Sequence, residues 1–484
     1  MTLAVLGHDF RYETENVIRI FFPLEKINVV SELPEVTDDC VITYLKDGII
    51  GCEINIFCGN GKREVSVENK DEKEQELILA RLLYDIFTSL TGIVPSWGVL
   101  TGVRPSKLMR TLISENGEEY ATDYFRNELL VSDKKTALAL SVAKAEDRII
   151  ALSGEKSYSL YVSIPFCPTR CSYCSFVSHS IAQAKKLVPD YVRLLCDELR
   201  EISVIADKIG LKLETIYFGG GTPTSLDEQS LRAVTDAVSK YFDVKNVREY
   251  TIEAGRPDTL NKEKLEIMKN AGVTRISINP QTFNADVLEN IGRKHSPEMT
   301  VEAFRMAREA GFDNINMDFI AGLPGDTYDS FRNSIDTAVS LSPENITIHT
   351  LALKRAANIV TKGQTDSVYR ETAKMLDYAD SALHSEDYFP YYMYRQSKNV
   401  GNNENVGWSK KDRECLYNIY MMEEIHTVLA AGGGAVTKLK SQEDGRIERI
   451  FNFKYPYEYI SRFDELLERK KYIYEFYGMT ENEH

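Results

Sequence analysis

From Tyr158 onward the chain alternates between two hydrophobic periods. Short apolar, β-branched runs recur at 158–164, 214–218, 248–253, 274–279, 314–319 and 345–350. Between them, apolar residues return every three to four positions over 187–208, 227–242, 261–271, 297–310 and 326–341. Six such strand–helix repeats predict a parallel sheet joined by right-handed crossovers. Six, where a closed barrel has eight, predicts a partial barrel open on one side to a large substrate. Groups that do chemistry are then expected at the carboxyl ends of the strands.

The pattern before residue 155 is different. Alternation over Asn16 to Val30 and Cys40 to Val67, with turn signals at Lys46-Asp-Gly48 and Gly59-Asn-Gly61, predicts a small antiparallel sheet with hairpins. Helical spacing follows from Glu72 to Leu90 and from Tyr120 to Ser153. Between these, the stretch from Pro95 to Leu108 holds Trp97, Arg104 and Lys107 among glycines and prolines. It reads either as a loop that grips an anionic group or as a tight connection capped by a helix over 107–114. After residue 352 a helix is expected over 365–384. Pro390 to Trp408 then sets aromatics beside Arg395, Lys398 and several asparagines. That is either an apolar floor for a flat macrocycle with acidic arms or an ordinary aromatic cluster under a long loop. Residues 429–437 read as a glycine-rich loop, and Phe451 to Glu475 as a docking helix. The expected regions are an accessory α+β domain (1–154), the partial barrel (155–352) and a substrate-side α+β extension (353–484).

Composition narrows the class. Hydrophobic residues make up 43% and charged residues 27%, ordinary for a soluble chain able to bury a core. No apolar run approaches the roughly 20 residues of a membrane span. The start lacks a basic segment followed by a long apolar one, so a cytoplasmic protein without a signal peptide is expected. A net charge of −15 argues against a nucleic-acid surface spread over the whole chain. Eight cysteines in 484 residues do not form a disulfide scaffold. Cys40, Cys52, Cys58, Cys196 and Cys415 are scattered, and are expected to be buried structural thiols.

The remaining cysteines are not scattered. Pro165 stops the first barrel strand, and Cys167, Cys171 and Cys174 follow within eight residues, on a loop at the strand's carboxyl end. Three thiolates are one short of the four that close a zinc or iron–sulfur site. A [4Fe–4S] cluster on three cysteines leaves one iron open, whereas a zinc site would recruit His179. Gly219-Gly220-Gly221-Thr222 follows the second strand, where bare backbone either meets a ligand or makes a tight turn. Glu253, Gln281 and Arg293 lie at or beyond later strand ends. Asp318 is a charge inside an apolar strand, expensive without a partner.

Taken together these motifs resemble the radical S-adenosylmethionine (SAM) superfamily. Tyr161-Val-Ser-Ile-Pro-Phe-Cys167 and Gly219-Gly-Gly-Thr-Pro-Thr224 resemble its coproporphyrinogen-oxidase-like branch. That branch holds oxygen-independent coproporphyrinogen III oxidases (coproporphyrinogen dehydrogenases), HemW-like haem chaperones and tetrapyrrole methyltransferases. The stretch at 95–108 resembles the HemZ subgroup. The resemblance implies a TIM-like partial (β/α)6 barrel of the α/β class, with a [4Fe–4S] cluster on Cys167, Cys171 and Cys174 and SAM on the fourth iron. Tyr161, Tyr173, Phe176, Gly219, Gly220, Gly221, Thr222, Glu253, Gln281, Arg293 and Asp318 match positions that contact the cofactor. It further implies a reduced electron donor such as flavodoxin or ferredoxin. The implied reaction takes hydrogen from coproporphyrinogen propionates, which lose CO2 and become vinyls. Two departures stand out: Phe176 occupies the place of the oxidases' fourth cysteine, and no His-Asn-x-x-Tyr-Trp haem-binding stretch is found.

Overall fold

The amino-terminal alternation resolves into a mixed sheet, not the antiparallel one expected. In the computed structural model, which describes residues 1–23, 25–35, 38–174, 179–352, 365–396 and 399–479, its strands are β1 (Thr2–Leu6), β2 (Asn28–Val30), β3 (Cys40–Lys46), β4 (Ile49–Ile56) and β5 (Gly59–Ser66). Their order is β2-β1-β3-β4-β5, with β1 parallel to both neighbours. The reason is that Arg11–Phe21 is a helix burying Val17, Ile18, Ile20 and Phe21 on one face. A helical crossover returns the chain parallel to β1. The first hairpin turns at Asp47 (φ 53°) and Gly48 (φ 74°), as predicted. The second turns at Phe57-Cys58, while Gly59 and Gly61 lie inside β5. A Cβ at Gly61 would stand 2.7 Å from Ile86, so the glycine admits helix Glu72–Thr91 against the strand.

This sheet belongs to a compact unit of Met1–Lys144, Ala352–Ala373 and Met393–Asn405. Its long helical stretch is broken: Glu118–Asp123 and a π turn at Tyr124–Glu128 precede the helix Asp133–Ile150. The 95–100 segment plugs that break. Val99 donates its N–H to the Leu129 carbonyl, and Ser132 donates its own to Ser96. A Cβ at Gly98 (φ 54°) would lie 2.0 Å from the Leu129 oxygen. Trp97 is buried, its Nε1 donating to Glu404 Oε2 at 2.7 Å, and Lys135 Nζ donates to Glu404 Oε1 at 2.5 Å. The Arg395 guanidinium covers the Trp97 ring and donates to the Leu100 carbonyl. The tight connection is what forms, with its helix at Pro105–Asn116.

The second unit comprises Ala145–Leu351, Lys374–Tyr392 and Val406–His484. The strands from residue 157 on are β6 (Ser157–Ile164), the short pair β7 (Phe166–Cys167) and β8 (His179–Ser180), β9 (Lys212–Gly220), β10 (Glu249–Glu253), β11 (Arg275–Ser277), β12 (Ile315–Ala321) and β13 (Asn345–Thr350), then β14 (Phe389–Arg395), β15 (Glu404–Ser409), β16 (Thr427–Ala431), β17 (Val436–Lys440) and β18 (Ile447–Phe451). The large sheet runs β14-β15-β13-β12-β11-β10-β9-β6-β16-β17-β18. The six predicted strands are present, parallel and in order. Predicted helices link them, with Ala285–Asn290 added between β11 and β12.

The glycine-rich 429–437 segment is not only a loop. β16 pairs parallel with β6 as a seventh parallel strand, then turns at Gly432 into β17. A Cβ at Gly432 would meet the Ser163 oxygen at 2.3 Å. The tail is likewise not one helix but three, Pro456–Ser461, Phe463–Lys470 and Tyr472–Phe476. Glu198, on helix Val188–Ile209, anchors it: the buried carboxylate takes Lys470 Nζ at 3.0 Å, Tyr459 Oη at 2.7 Å and the Gly432 N–H. A buried ion pair persists only when its spare lone pairs are filled in this way. All eight cysteines are free thiols, but Cys58 and Cys196 are only half-buried. Among the described residues no helix is long and apolar enough to cross a membrane.

Along the parallel strands side chains alternate. Leu160, Val162, Ile216, Phe218, Ile252, Ile276, Met317, Phe319 and Ile348 are apolar and buried. The intervening positions are polar or aromatic and bond across the strands: Ser159 to Thr215, Tyr217 to Glu253, Asn316 to Ser277, Thr347 to Asn316. One face of the sheet therefore packs and the other carries chemistry.

Candidate functional site

The cysteine loop leaves β6 at Pro165 and is closed by the β7–β8 pairing. Two neighbouring loops hold it. From the glycine loop, the Thr222 N–H donates to the Phe166 carbonyl at 2.7 Å and Gly221 donates to Ile164 at 2.8 Å. Thr222 Oγ1 lies 3.5 Å from Cys167 Sγ. On the other side, Ser172 donates to the Ile291 carbonyl, and Thr169 Oγ1 donates to Gly292. Arg293 supplies the strongest tie. Its Nε and Nη2 donate to Tyr173 Oη at 3.3 and 3.1 Å, while Nη1 donates to the carbonyls of Asn279 at 2.7 Å and Gly255 at 3.1 Å. Cys171 is buried, and Cys167 and Cys174 are half-buried. Phe176 lies outside the described residues.

Among the described residues, no three His, Cys, Asp or Glu side chains converge on a point that one ion would fill. His179 sets its ring edge-on to Tyr455. A cubane is different: each thiolate binds its own iron, so the ligands stand apart. Three soft thiols on one short loop fit that group.

The glycines divide by role. Gly220 has φ 102°, and a Cβ at Gly221 would lie 2.5 Å from the Phe166 oxygen, so the fold itself requires both. Gly219 is different. Its missing Cβ would stand 3.2 Å from Tyr161 Oη and 3.3 Å from Glu253 Oε1. Bare backbone, a phenol and a carboxylate thus meet at the carboxyl ends of β6, β9 and β10. Tyr217 Oη donates to Glu253 Oε1 at 2.6 Å, and Tyr161, Tyr217 and Tyr417 stack below.

Two carboxylates in this region are tuned apart. Burial pushes the Glu253 carboxyl up to about 7; the hydrogen bond from Tyr217 opposes this and the charge of Asp318 adds to it. Burial also pushes Asp318 up, but the nearby His349 and Thr347 side chains and the hydrogen bond from Asn316 outweigh it and hold that carboxyl below its ordinary value. Asn316 Nδ2 donates to Asp318 Oδ1 at 2.7 Å, and His349 Nε2 stands 3.8 Å from Oδ2. Gln281 is buried at φ 69°, an unfavourable region for a side-chain-bearing residue. It resumes the β11 line after Pro280, taking its place beside Phe319. A carboxyl raised by burial, beside bare backbone, is driven to ionise by a ligand that brings positive charge.

The structure thus brings Tyr161, Gly219, Glu253 and Asp318 to one end of the sheet, and Cys167, Tyr173, Thr222 and Arg293 to the loops above it. Sequence reading missed Tyr217, Asn316 and His349. Their only signal is a polar residue at every second position of an otherwise apolar strand.

The Radical SAM superfamily profile matches residues 161–338. Over 427 residues the chain is 36% identical to the oxygen-independent coproporphyrinogen-III oxidase-like protein HemZ of Bacillus subtilis (strain 168), across 86% of this chain and 85% of that protein. It is 40% identical over 210 residues to the heme chaperone HemW of the same organism, but spans only 54% of that protein's length. In fold it is similar to coproporphyrinogen III oxidase (HemN) from Escherichia coli, a radical SAM enzyme, with a TM-score of 0.51 at 22% identity over 67% of this chain and 72% of that one.

Proposed function

The chain belongs to the coproporphyrinogen-III oxidase-like family of radical SAM proteins, and we propose that it converts coproporphyrinogen III propionates to vinyls without oxygen. The observation that carries this reading is the likeness to HemZ along nearly the whole length of both chains. Bound together, a [4Fe–4S] cluster and SAM supply the carbon-centred radical chemistry that such a step needs.

The chain's own residues then have defined tasks. Cys167, Cys171 and Cys174 hold the cluster, on a loop fixed by Tyr173 and Arg293. Gly219 would present bare backbone to SAM, while Gly220, Gly221 and Thr222 hold that loop against the cysteine loop. Glu253, whose carboxyl burial raises above its ordinary value, would receive the cationic end of SAM. Tyr161 lies beside that carboxylate, and Gln281, Arg293 and Asp318 complete the cofactor side. At the substrate the balance is simple: the β-carbon gives up one hydrogen atom, the carboxylate leaves as CO2, and one electron passes to an acceptor. The tetrapyrrole and a reduced flavodoxin- or ferredoxin-type donor are the partners this reading requires.

A haem-trafficking role is the second reading, favoured by the 40% identity to HemW over 210 residues. One experiment separates them. Reconstituted protein is incubated anaerobically with SAM, reductant and coproporphyrinogen III, and products are read by mass spectrometry. Mono- and divinyl porphyrinogens with 5′-deoxyadenosine are expected. Intact coproporphyrinogen together with tight haem binding overturns the decarboxylase.

A further inference from the structure

The segments around the cysteine loop are charged against the trend of the chain. The protein carries a net charge of −15, yet no Asp or Glu occurs from Ser157 to Pro189. That stretch does hold Arg170, inside the cysteine loop, and Lys185 and Lys186, just beyond β8 and the helical turn Ile181–Ala184. All three are exposed, and none is ion-paired. β8 pairs with β7, setting Ser180 beside Cys167 and starting the turn that leads to both lysines. Lys454 joins them from the carboxyl-terminal part. A Cβ at Gly433 would stand 3.4 Å from Pro165 Cγ, and one at Gly434 3.6 Å from the Lys454 carbonyl oxygen. This turn therefore links Lys454 to the residue where the cysteine loop begins. Lys454 is also exposed and not ion-paired. Residues 175–178, outside the described ones, are Ser-Phe-Val-Ser and add no charge.

Aromatic rings are exposed beside these cations. Tyr455 and Tyr457 stack in parallel with centroids 5.6 Å apart, and keep 37% and 53% of their surface in water. The His179 ring packs edge-on to Tyr455 at 5.8 Å, so the pair lies against β8, which closes the cysteine loop. Tyrosine is enriched at the centre of protein interfaces, where a rigid ring buries much area at little entropic cost. Cations at the rim steer an acidic partner and set its register.

The kind of partner follows from position. A cluster on Cys167, Cys171 and Cys174 has to be reduced from outside the chain, and tunnelling falls steeply with distance, so the protein that reduces it must dock against this loop. Resting on the SAM-dependent reading above, we propose that Tyr455 and Tyr457, with Arg170, Lys185, Lys186 and Lys454, form the docking surface for an acidic one-electron carrier of flavodoxin or ferredoxin type. The carrier's reduced centre loses one electron and the cluster gains it, with no bond made or broken. Redox partners meet through small, weak interfaces, so a few residues suffice.

The test measures binding of oxidised flavodoxin and of [2Fe–2S] ferredoxin to the full, cluster-reconstituted chain by biolayer interferometry, at low and at high salt. The double variant Lys185→Glu/Lys186→Glu is expected to bind roughly tenfold more weakly at low salt and to lose most of the salt dependence. Tyr455→Ala/Tyr457→Ala is expected to lose roughly tenfold at both salts. Lys245→Glu alters an exposed lysine just before β10, at the opposite ends of the strands, and is expected to bind as wild type. Formation of 5′-deoxyadenosine driven by the reduced carrier should fall with affinity in both double variants, while formation driven by dithionite stays at the wild-type rate. Unchanged affinity in both double variants overturns the proposal, as does an equal loss in Lys245→Glu or failure of wild type to bind either carrier. Self-association that the tyrosine variant abolishes, without carrier binding, overturns it in favour of a second copy of this chain. If dithionite yields no deoxyadenosine with wild type, the SAM-dependent reading fails, and carrier binding still decides the surface.

Discussion

The phenol of Tyr173 accepts two hydrogen bonds from Arg293, from Nε at 3.3 Å and Nη2 at 3.1 Å. This joins the residue between Cys171 and Cys174 to the loop beyond β11, and so ties the metal-binding loop to the barrel. The third guanidinium nitrogen satisfies two backbone carbonyls. Tyr173→Phe removes the tie and leaves those carbonyls served. Arg293→Ala leaves buried groups unsatisfied at about 1–3 kcal/mol each. Both variants are expected to retain less iron after anaerobic reconstitution and desalting. Tyr173→Phe leaves two buried guanidinium donors without this acceptor, so both variants are expected to lower the urea midpoint of the cluster-free protein. Full iron retention by Tyr173→Phe would show that the tie does not serve the cluster.

Glu253 makes stability depend on pH. Its carboxyl is raised from 4.5 to about 7, so the folded state holds this proton more tightly than the unfolded chain. Its contribution is therefore present below the unfolded value and is lost as pH climbs through that window. Over the full interval the loss is on the order of 3 kcal/mol. Cluster-free wild type and Glu253→Gln are expected to differ little at pH 4.5. At pH 7.5 the Gln variant should be the more stable of the two. Urea denaturation across that range checks it, and parallel pH profiles would mean that Glu253 is not the group.

How much of this was legible follows from where each signal resides. A parallel strand buried by helices reads as a short apolar run, so β6 and β9 to β13 were visible. β16 was not: Ala430, Ala431 and the adjoining glycines have weak strand preference, and the strand exists because β6 offers it an edge. Arg11–Phe21 was misread because Phe10 caps it without a side-chain hydrogen bond, leaving no start signal. The cysteine and glycine motifs are local and could be read directly. The Arg293–Tyr173 tie spans 120 residues, and His349 shows only as one of the alternating polar positions of its strand. The first leaves no pattern in sequence, and the second does not say which partner it meets.

In the first unit, Glu404 ties the 95–100 segment to the helix Asp133–Ile150. Its carboxylate is almost wholly buried between Trp97 Nε1 and Lys135 Nζ. Glu404→Ala removes the acceptor of Trp97 Nε1 and the carboxylate paired with Lys135, at a cost of about 3–5 kcal/mol. Glu404→Gln keeps an acceptor for Trp97 but also loses the ion pair, so an intermediate loss is expected. Denaturant midpoints measure both. If 95–108 were instead an anion grip, ligand affinity would change and the midpoint would not.

The cluster assignment makes the sharpest demand on the cysteines. Cys167 sits against Thr222, Cys171 is buried, and Cys174 follows on the same short loop. In a three-thiolate cubane each sulfur holds a different iron, so no other ligand compensates for a missing one. Cys167→Ala, Cys171→Ala and Cys174→Ala are each expected to lose nearly all reconstituted iron and the cluster's visible absorbance. Cys415 accompanies Glu249 in the buried interior, and Cys196 lies on an outer helix. Their alanine variants are expected to keep wild-type iron. The contrast matters because iron–sulfur reconstitution also loads adventitious iron onto loose thiols. If the first three variants still bind the cluster while Cys196→Ala does not, the site lies elsewhere and the SAM assignments built around Gly219 and Glu253 fall with it.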